Sequence, residues 1–363
     1  MDREKIDAIT GLRGLAALLV VYGHALDWFA LPWKNHLSGE VGVTIFFSLS
    51  GFLMAYLYLG RQFSAINVVD YAVSRFSRFS RIAPAYLVIL LLSFLIYVNI
   101  DPNFVYGISG KNILRHIFFS GNVSVFWSIT PEVEFYFLFV LAWAAGSRYL
   151  IRSDVAGLLL LALASVILLS YRDIFPGTFV GSKLHYFLFG MIAGLMRSHI
   201  HSGDQSRKLF AILHALAIAT IIALTAGWLA LPFSSNQAFY NSILTAVFGA
   251  FLVFSLSFPS AVGNLFFANR AMILCGEWSF SIYLLHMPLI YLFRKIHPEP
   301  FQLFVLLPLV ILVLLFSWLN FQLIERPGAR LIRSVGGVFK RKFLAVFPTA
   351  ASPRAMPLGG NTR

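Results

Sequence analysis

The sequence predicts an all-α protein, a polytopic bundle of about ten transmembrane helices with both termini in the cytoplasm. The first observation is compositional. Hydrophobic residues make up 59% of the 363 residues and charged residues only 12%, whereas soluble globular proteins have about 25% charged residues. The second is that the apolar residues fall into runs of about the length that crosses a bilayer as a helix. The third is the distribution of lysine and arginine between the segments on the two sides of the membrane.

The predicted spans follow one another along the whole chain. They are 8–31, 41–59, 82–100, 130–147, 155–171, 184–197, 209–231, 239–258, 272–293 and 301–324. The sixth run is short and the fourth has no clear start, so nine or eleven spans are the alternatives. The charged N-terminus and the interrupted first run favour a retained span over a cleaved signal peptide.

The Lys and Arg residues set the orientation. With both termini inside, 20 of them fall on cytoplasmic segments and seven on outer segments, while Arg13 lies within the first span. This is the positive-inside bias of membrane proteins. It also accounts for the net charge of +13, so no nucleic-acid partner is expected. We expect one membrane domain, 1–327, followed by a basic cytoplasmic tail, 328–363, that is partly disordered.

Arg13 and His24 are ionisable side chains within the largely apolar first span. They are eleven positions apart, which on a helix places them within about 20° of one face and about 16 Å apart along the axis. Ionisable groups inside a membrane are costly and commonly mark a functional site. The structural alternatives are that Arg13 extends to the inner interface and that His24 makes an inter-helix hydrogen bond.

Three arginines lie at intervals of three residues before the third span: Arg75, Arg78 and Arg81. On a helix this spacing produces one basic stripe. Guanidinium groups bind phosphate through paired hydrogen bonds, so the stripe is a candidate site for a cytoplasmic polyphosphate ligand. Anionic lipid headgroups are the alternative partner.

Glu132 opens the fourth span, after Thr130 and Pro131. An acidic residue in the first turn of a helix suits the helix dipole, and Thr130 with Pro131 is typical of a helix start. That is the structural interpretation. In the functional interpretation Glu132 lies on the outer side at the depth of His24, where its carboxylate orients the imidazole or binds an acceptor hydroxyl.

His286 lies at the outer end of the ninth span, where a histidine is often structural, and Cys275 is the single cysteine. One cysteine excludes an internal disulfide framework and a cysteine-rich zinc or iron–sulfur site. We predict no metal site and no permanently bound cofactor.

Several short motifs occur in a fixed order and together resemble the acyltransferase 3 family of integral-membrane acyltransferases. They are Leu12-Arg13-Gly14 with His24, Gly42 to Phe52, Arg78-x-x-Arg81-Ile-x-Pro84-x-Tyr86, Trp127-Ser128-x-x-x-Glu132-x-x-Phe135-Tyr136, Ser281-x-Tyr283-Leu284-x-His286-x-Pro288 and Glu325-Arg326-Pro327. The matched motifs span residues 6–327.

The resemblance implies a ten-helix membrane enzyme that takes an acyl group, usually acetyl, from cytoplasmic acyl-coenzyme A. In family terms Arg13, Arg78 and Arg81 engage the donor, and His24 is the catalytic base. Glu132 is a further catalytic or acceptor-binding group. The matched motifs also contain the predicted substrate-binding residues, which are Ser128, Tyr136 and His286.

The resemblance also implies an acceptor hydroxyl on a carbohydrate such as lipopolysaccharide, exopolysaccharide, peptidoglycan or a signalling oligosaccharide. The expected location is the bacterial cytoplasmic (inner) membrane, with membrane lipids and envelope-polymer assembly proteins as further partners. Direct transfer is the favoured route, and an acyl-histidine or an acyl-serine on Ser50 or Ser128 stays open. A transporter or flippase for a glycan or anionic substrate is the alternative function, although the sequence has no inverted repeat. A non-catalytic scaffold is the third.

Overall fold

A computed structural model of the protein describes residues 6–29, 37–200, 204–229, 232–233, 235–297, 306–331, 334–335 and 337–338. All regular secondary structure in these ranges is helical. The prediction of an all-α fold is therefore confirmed for the described part of the chain. The predicted tail, 328–363, lies mostly outside the described residues.

Fourteen α-helices follow one another in the described ranges. They are α1 (Asp7–Phe29), α2 (Ser38–Met54), α3 (Ala65–Asn99), α4 (Ile113–Ile117), α5 (Ile129–Arg152), α6 (Ala156–Ser170), α7 (Val180–His199), α8 (Asp204–Thr225), α9 (Asn236–Asn241), α10 (Ile243–Leu256), α11 (Ala261–Phe266), α12 (Arg270–Glu277), α13 (Ser279–Ile296) and α14 (Leu306–Asn320). A π-helical turn extends α2 over Ala55–Leu59, and another extends α14 over Phe321–Glu325.

Six helices in the described ranges are long and apolar enough to cross a membrane, or seven if the bent pair α12–α13 counts as one span. The six cover Asp7–Phe29, Ser38–Leu59, Ala65–Asn99, Ser124–Arg152, Ser206–Thr225 and Leu306–Leu331. The other predicted runs coincide with α6, α7 and α10. Helices α6 and α10 are short, with 15 and 14 residues, and α7 carries Lys183 in its first turn.

Helices α1 and α2 form the centre of the bundle. Within their most apolar windows 67% and 78% of the residues are buried, against 22–39% for the other four long apolar helices. Helices α7 and α10 pack against α2, and α12 and α13 pack against α1. Functional side chains on α1 and α2 therefore face protein rather than lipid.

The contact between α2 and α7 depends on two glycines at which the helix backbones touch. A Cβ atom on Gly51 would lie 2.2 Å from the Phe187 carbonyl oxygen, and one on Gly190 would lie 2.2 Å from the Ser48 carbonyl oxygen. Small residues at such crossings are typical of membrane helix pairs, because they let the backbones approach closely.

Helices α3 and α5 run antiparallel, as three contacts along them establish. The Phe63 amide donates to Ser147 Oγ at 2.8 Å, and Tyr71 Oη donates to the Tyr136 carbonyl at 2.7 Å. Further along α3, Arg78 pairs with Glu132. Helix α3 continues for about 30 Å beyond Arg78 to Asn99, so α5 begins beside the middle of α3.

The segment between α3 and α5 fills the space that this arrangement leaves. Tyr106 Oη donates to the Leu284 carbonyl at 2.8 Å, and Tyr86 Oη donates to the His116 carbonyl at 2.8 Å. Tyr106 and His116 are fully buried. The sequence predicts an outer segment at about 101–126, with a short surface helix around Ile113–Phe119. The helix is present as α4, but the segment folds into the bundle.

An ion pair links the end of α3 to α13. The Asp101 carboxylate, just after α3, accepts hydrogen bonds from Lys295 Nζ at 2.7 Å and from Tyr291 Oη at 2.5 Å. These donors and the Asn103 amide lower the pKa of Asp101 to about 2. Because the pair is exposed, we expect it to fix the loop's position more than to add stability.

The glycine contact gives a first prediction. Gly51→Ala should lower the melting temperature of the detergent-solubilised protein by about 5 °C or more, because the new methyl group meets a backbone carbonyl and overpacking costs about 1–3 kcal/mol. Gly146→Ala is the matched control, since its added Cβ would meet only a Leu59 methyl group at 3.8 Å. Equal melting temperatures for the two variants would contradict the close α2–α7 contact.

Candidate active site

The Glu132 carboxylate collects donors from three helices. Its Oε1 atom accepts from Arg78 Nη2 of α3 at 2.9 Å and from Ser50 Oγ of α2 at 2.9 Å. Tyr136, one turn along α5, donates to the same oxygen. The positive charge of Arg13 on α1 also attracts this carboxylate. The cluster around Glu132 therefore joins α1, α2, α3 and α5.

Arg13 connects the cluster to a break in the fold. Its Nη2 donates to Ser279 Oγ at 3.0 Å, and Ser279 is the first residue of α13. The chain bends by 74° between α12 and α13, so α13 begins inside the bundle. The positive end of the α13 dipole thus lies next to Arg13.

These side chains enclose a small cavity of about 70 Å³, which we call the arginine pocket. Its polar lining residues are Arg13, Arg78, Ser128, Glu132, Tyr136, Ser279 and Tyr283. Arg78 and Glu132 each keep about a quarter of their side-chain surface accessible, 23% and 24%. Because a water needs about 10–15 Å³ of such space, the pocket has room for a few atoms.

A second cavity, which we call the histidine cavity, is larger, about 470 Å³, and is open at one side. Its walls include His24, Asp27, Glu40, Trp127, Lys183 and Tyr240. The volume falls within the range of about 300–1,000 Å³ that is usual for small-molecule sites. Aromatic faces and hydrogen-bonding side chains line it together.

His24 lies in the wall of this cavity with its imidazole stacked on another histidine. The ring centroids of His24 and His286 are 5.2 Å apart and the rings are nearly parallel. His286 is fully buried, and its Nδ1 lies 3.2 Å from the Ile282 carbonyl oxygen. Since a carbonyl only accepts, Nδ1 carries the proton. No side chain in the described ranges hydrogen-bonds the His24 ring, so its nitrogen atoms are available to a ligand.

Tyr283 and Val43 line both cavities. The Tyr283 hydroxyl lies 2.7 Å from Ser128 Oγ and also donates to the Val125 carbonyl at 3.1 Å. The two cavities therefore adjoin, with the thickness of one side chain between them. Arg13 lines the arginine pocket and His24 lines the histidine cavity, and both residues belong to α1.

The prediction that Glu132 and His24 lie at the same depth is wrong. Helices α1 and α2 touch at Gly23 and Gly39, so His24 is level with the start of α2. Glu132 bonds to Ser50, eleven residues further along α2, which is about 16 Å deeper. The reason is the inward fold of residues 101–128, which starts α5 inside the bundle. Glu132 lies at the depth of Arg13.

Only two of the other predicted site residues line a cavity in the described part of the chain. Ser128 and Tyr136 line the arginine pocket. His286 lies behind His24 and lines neither cavity. The backbone of Arg81 continues α3 one turn beyond Arg78, and its side chain lies outside the described residues.

The chain matches a known protein family over most of its length. The family model of the acyltransferase domain Acyl_transf_3 matches residues 6–320. The chain belongs to the acyltransferase 3 family. Both cavities are built entirely from residues within the matched region.

Relatives of this acyltransferase domain include three bacterial proteins. The peptidoglycan O-acetyltransferase OatA of Listeria monocytogenes is 26% identical over 326 residues, 80% of this chain and 50% of that protein. The putative peptidoglycan O-acetyltransferase YrhL of Bacillus subtilis is 25% identical over 360 residues, 89% of this chain and 54% of that protein. The O-acetyltransferase OatA of Staphylococcus aureus is 21% identical over 351 residues, 89% of this chain and 57% of that protein.

The chain thus spans about half the length of the curated relatives it matches. No solved structure matches it.

Sequence reasoning missed Glu40, Lys183 and the position of Tyr283 between the cavities. The first two were hidden by small boundary errors. The predicted spans began at residues 41 and 184, but α2 begins at Ser38 and α7 at Val180. Both ionisable residues therefore lie inside a helix of the bundle, where the cost of burial would have marked them.

The ion pair between Arg78 and Glu132 in the arginine pocket gives a second prediction. Arg78→Gln and Glu132→Gln should each destabilise the protein, because each leaves a buried charge without its partner. The double variant should lose less free energy of unfolding than the two single variants lose together. We expect this difference to be about 1 kcal/mol or more. Denaturation in detergent would measure this coupling. Strictly additive effects would mean that the two charges do not stabilise each other.

Proposed function

We propose that this protein is a membrane O-acetyltransferase that moves an acetyl group from acetyl-coenzyme A to a hydroxyl of a carbohydrate. One observation carries the proposal: the ligand-sized cavity that His24 lines adjoins, across Tyr283 and Val43, the pocket lined by Arg13 and Arg78. A base facing an acceptor site that adjoins a cationic donor site is the arrangement that acyl transfer needs.

The donor side of the proposal is the arginine pocket. With about 70 Å³, it has room for the acyl end of the donor but not for the nucleotide. The phosphates would then lie outside, toward the arginines of α3, with Arg13, Arg78 and Arg81 as the donor-binding residues. Ser128 and Tyr136 would contact the acyl end. Their positions in the pocket wall support this assignment.

The acceptor side is the histidine cavity. Trp127 and Tyr240 meet with their ring centroids 5.3 Å apart, and aromatic faces are favourable partners for the apolar faces of sugar rings. Glu40, Asn236 and Gln237 line the same cavity and supply donors and acceptors for sugar hydroxyls. This mixture favours a carbohydrate over a purely apolar acceptor.

The proposed chemistry is direct transfer. A His24 nitrogen takes the proton of the acceptor hydroxyl while the oxygen attacks the thioester carbonyl carbon. The carbon–sulfur bond then breaks, and the thiolate of coenzyme A leaves and takes up the proton. Base assistance of this kind contributes about 10²–10⁴-fold in rate. His286 would hold the His24 ring in place, and Glu132 would hold Arg78 in the pocket.

The relatives bear on the choice of acceptor. Two of them are named as peptidoglycan O-acetyltransferases, one of these putatively, which supports peptidoglycan among the candidate acceptors. We place the protein in a bacterial cytoplasmic membrane with ten spans and cytoplasmic termini. The distribution of Lys and Arg supports this orientation. In this orientation Arg78 lies near the cytoplasmic side, which supplies acetyl-coenzyme A.

The test of this proposal is ester-linked acetate on surface and secreted glycans. A strain lacking the protein should lose one acetyl signal, and the wild-type protein should restore it. His24→Ala at equal membrane level should restore about 1% or less, because the base is gone. His199→Ala is the matched control, since His199 is exposed at the end of α7, and it should restore the signal fully.

Two results would contradict parts of this account. Unchanged carbohydrate acetylation in the deletion strain would overturn the proposed function. Full restoration by His24→Ala would keep the transferase and remove His24 as its base.

A further inference from the structure

Lys183 is a buried cation in the wall of the histidine cavity. It lies in the first turn of α7 and is only 5% exposed. Its Nζ atom lies 4.9 Å from the ring centroid of Tyr240 and 5.8 Å from that of Trp127. The ammonium group is thus framed by two aromatic rings and directed at the same space as His24.

The charge of Lys183 has no ionic partner within the described ranges. No carboxylate lies within 4 Å of Nζ, and no side chain or carbonyl there accepts a hydrogen bond from it. Asp173 attracts it electrostatically, but that carboxylate accepts from Asn241 instead. The cation–π contacts offset only part of the cost of burying an ammonium group without an anionic partner. A ligand anion would supply the missing partner.

We propose that Lys183 binds an anionic substituent, a carboxylate or a phosphate, on the carbohydrate acceptor. The inference rests on the proposed function, and it narrows the acceptor to acidic glycans. Both anions have the oxygen acceptors and the charge that a buried ammonium requires. Because Lys183 and His24 share one cavity, the anionic group lies on the acetylated sugar or on its direct neighbour.

The rest of the cavity limits the number of anionic groups. Asp27, Glu40 and Asp173 also line it and repel further negative charge. The other cation there, Arg172, donates to the carbonyls of Asn241 and Leu169 at 2.9 and 2.7 Å, so its guanidinium is already engaged. The cavity therefore fits one negative charge per bound unit rather than a dense polyanion.

The test uses the full-length protein in proteoliposomes with labelled acetyl-coenzyme A. The acceptor is de-O-acetylated envelope glycan from the deletion strain, supplied in three forms: native, carboxyl-reduced and dephosphorylated. Wild-type protein should transfer acetyl to the native form at least tenfold faster than to the form that lacks the recognised group. The form that fails identifies the anion as carboxylate or phosphate.

Three variants locate the effect at Lys183. Lys183→Gln should raise the KM for native glycan at least tenfold, leave the KM for acetyl-coenzyme A unchanged, and make the three glycan forms equivalent. Lys183→Arg, which keeps the charge, should stay within about threefold of wild type. Lys111→Gln is the matched control, because Lys111 is exposed and lines neither cavity.

The outcomes separate this inference from the proposed function. No transfer by wild-type protein to any form would overturn both. Equal wild-type transfer to all three forms would overturn the inference alone, and this arm decides even if Lys183→Gln does not fold. A loss in Lys183→Gln that is the same for every glycan form would also overturn it, since it would show a role in packing or in lipid binding.

Discussion

The pairing of the Glu132 carboxylate, whose side chain is about three-quarters buried among apolar helices, is the constraint on which the rest of the site depends. A carboxylate in such a place persists only if donors satisfy it, and here Ser50, Arg78 and Tyr136 provide them. This requirement holds α2, α3 and α5 in register, and the attraction of Arg13 adds α1. The inward fold of residues 101–128 goes with this pairing, since it brings the start of α5 beside Arg78 of α3.

The same constraint separates two tasks that acyl transfer requires. A donor with phosphates needs cationic groups, and the base needs a separate space in which the acceptor hydroxyl can bind beside it. Glu132 keeps Arg78 in the arginine pocket, about 16 Å from His24 along the helices. Tyr283 stands where the two compartments adjoin. The thioester carbon would have to reach this boundary to meet the acceptor hydroxyl.

Much of this could be predicted from the sequence, because charges inside apolar runs are conspicuous. Arg13 and His24 were found in that way, Arg78 was found from the three-residue spacing of the arginines before the third span, and the helical character of the ten runs followed from their composition. The depth of Glu132 could not be predicted, since nothing local in residues 101–128 distinguishes a surface loop from one that folds inward. Glu40 and Lys183 were missed because hydropathy locates the middle of a helix better than its ends.

The most direct test of the account is an experimental structure with an acetyl-coenzyme A analogue in which oxygen replaces the thioester sulfur. We predict density for the acetyl group in the arginine pocket, beside Ser128 and Tyr283, with the diphosphate toward the arginines of α3 and the histidine cavity left free. Coenzyme A density inside the histidine cavity, or an acetyl group remote from Tyr283, would contradict the division of donor and acceptor between the two cavities.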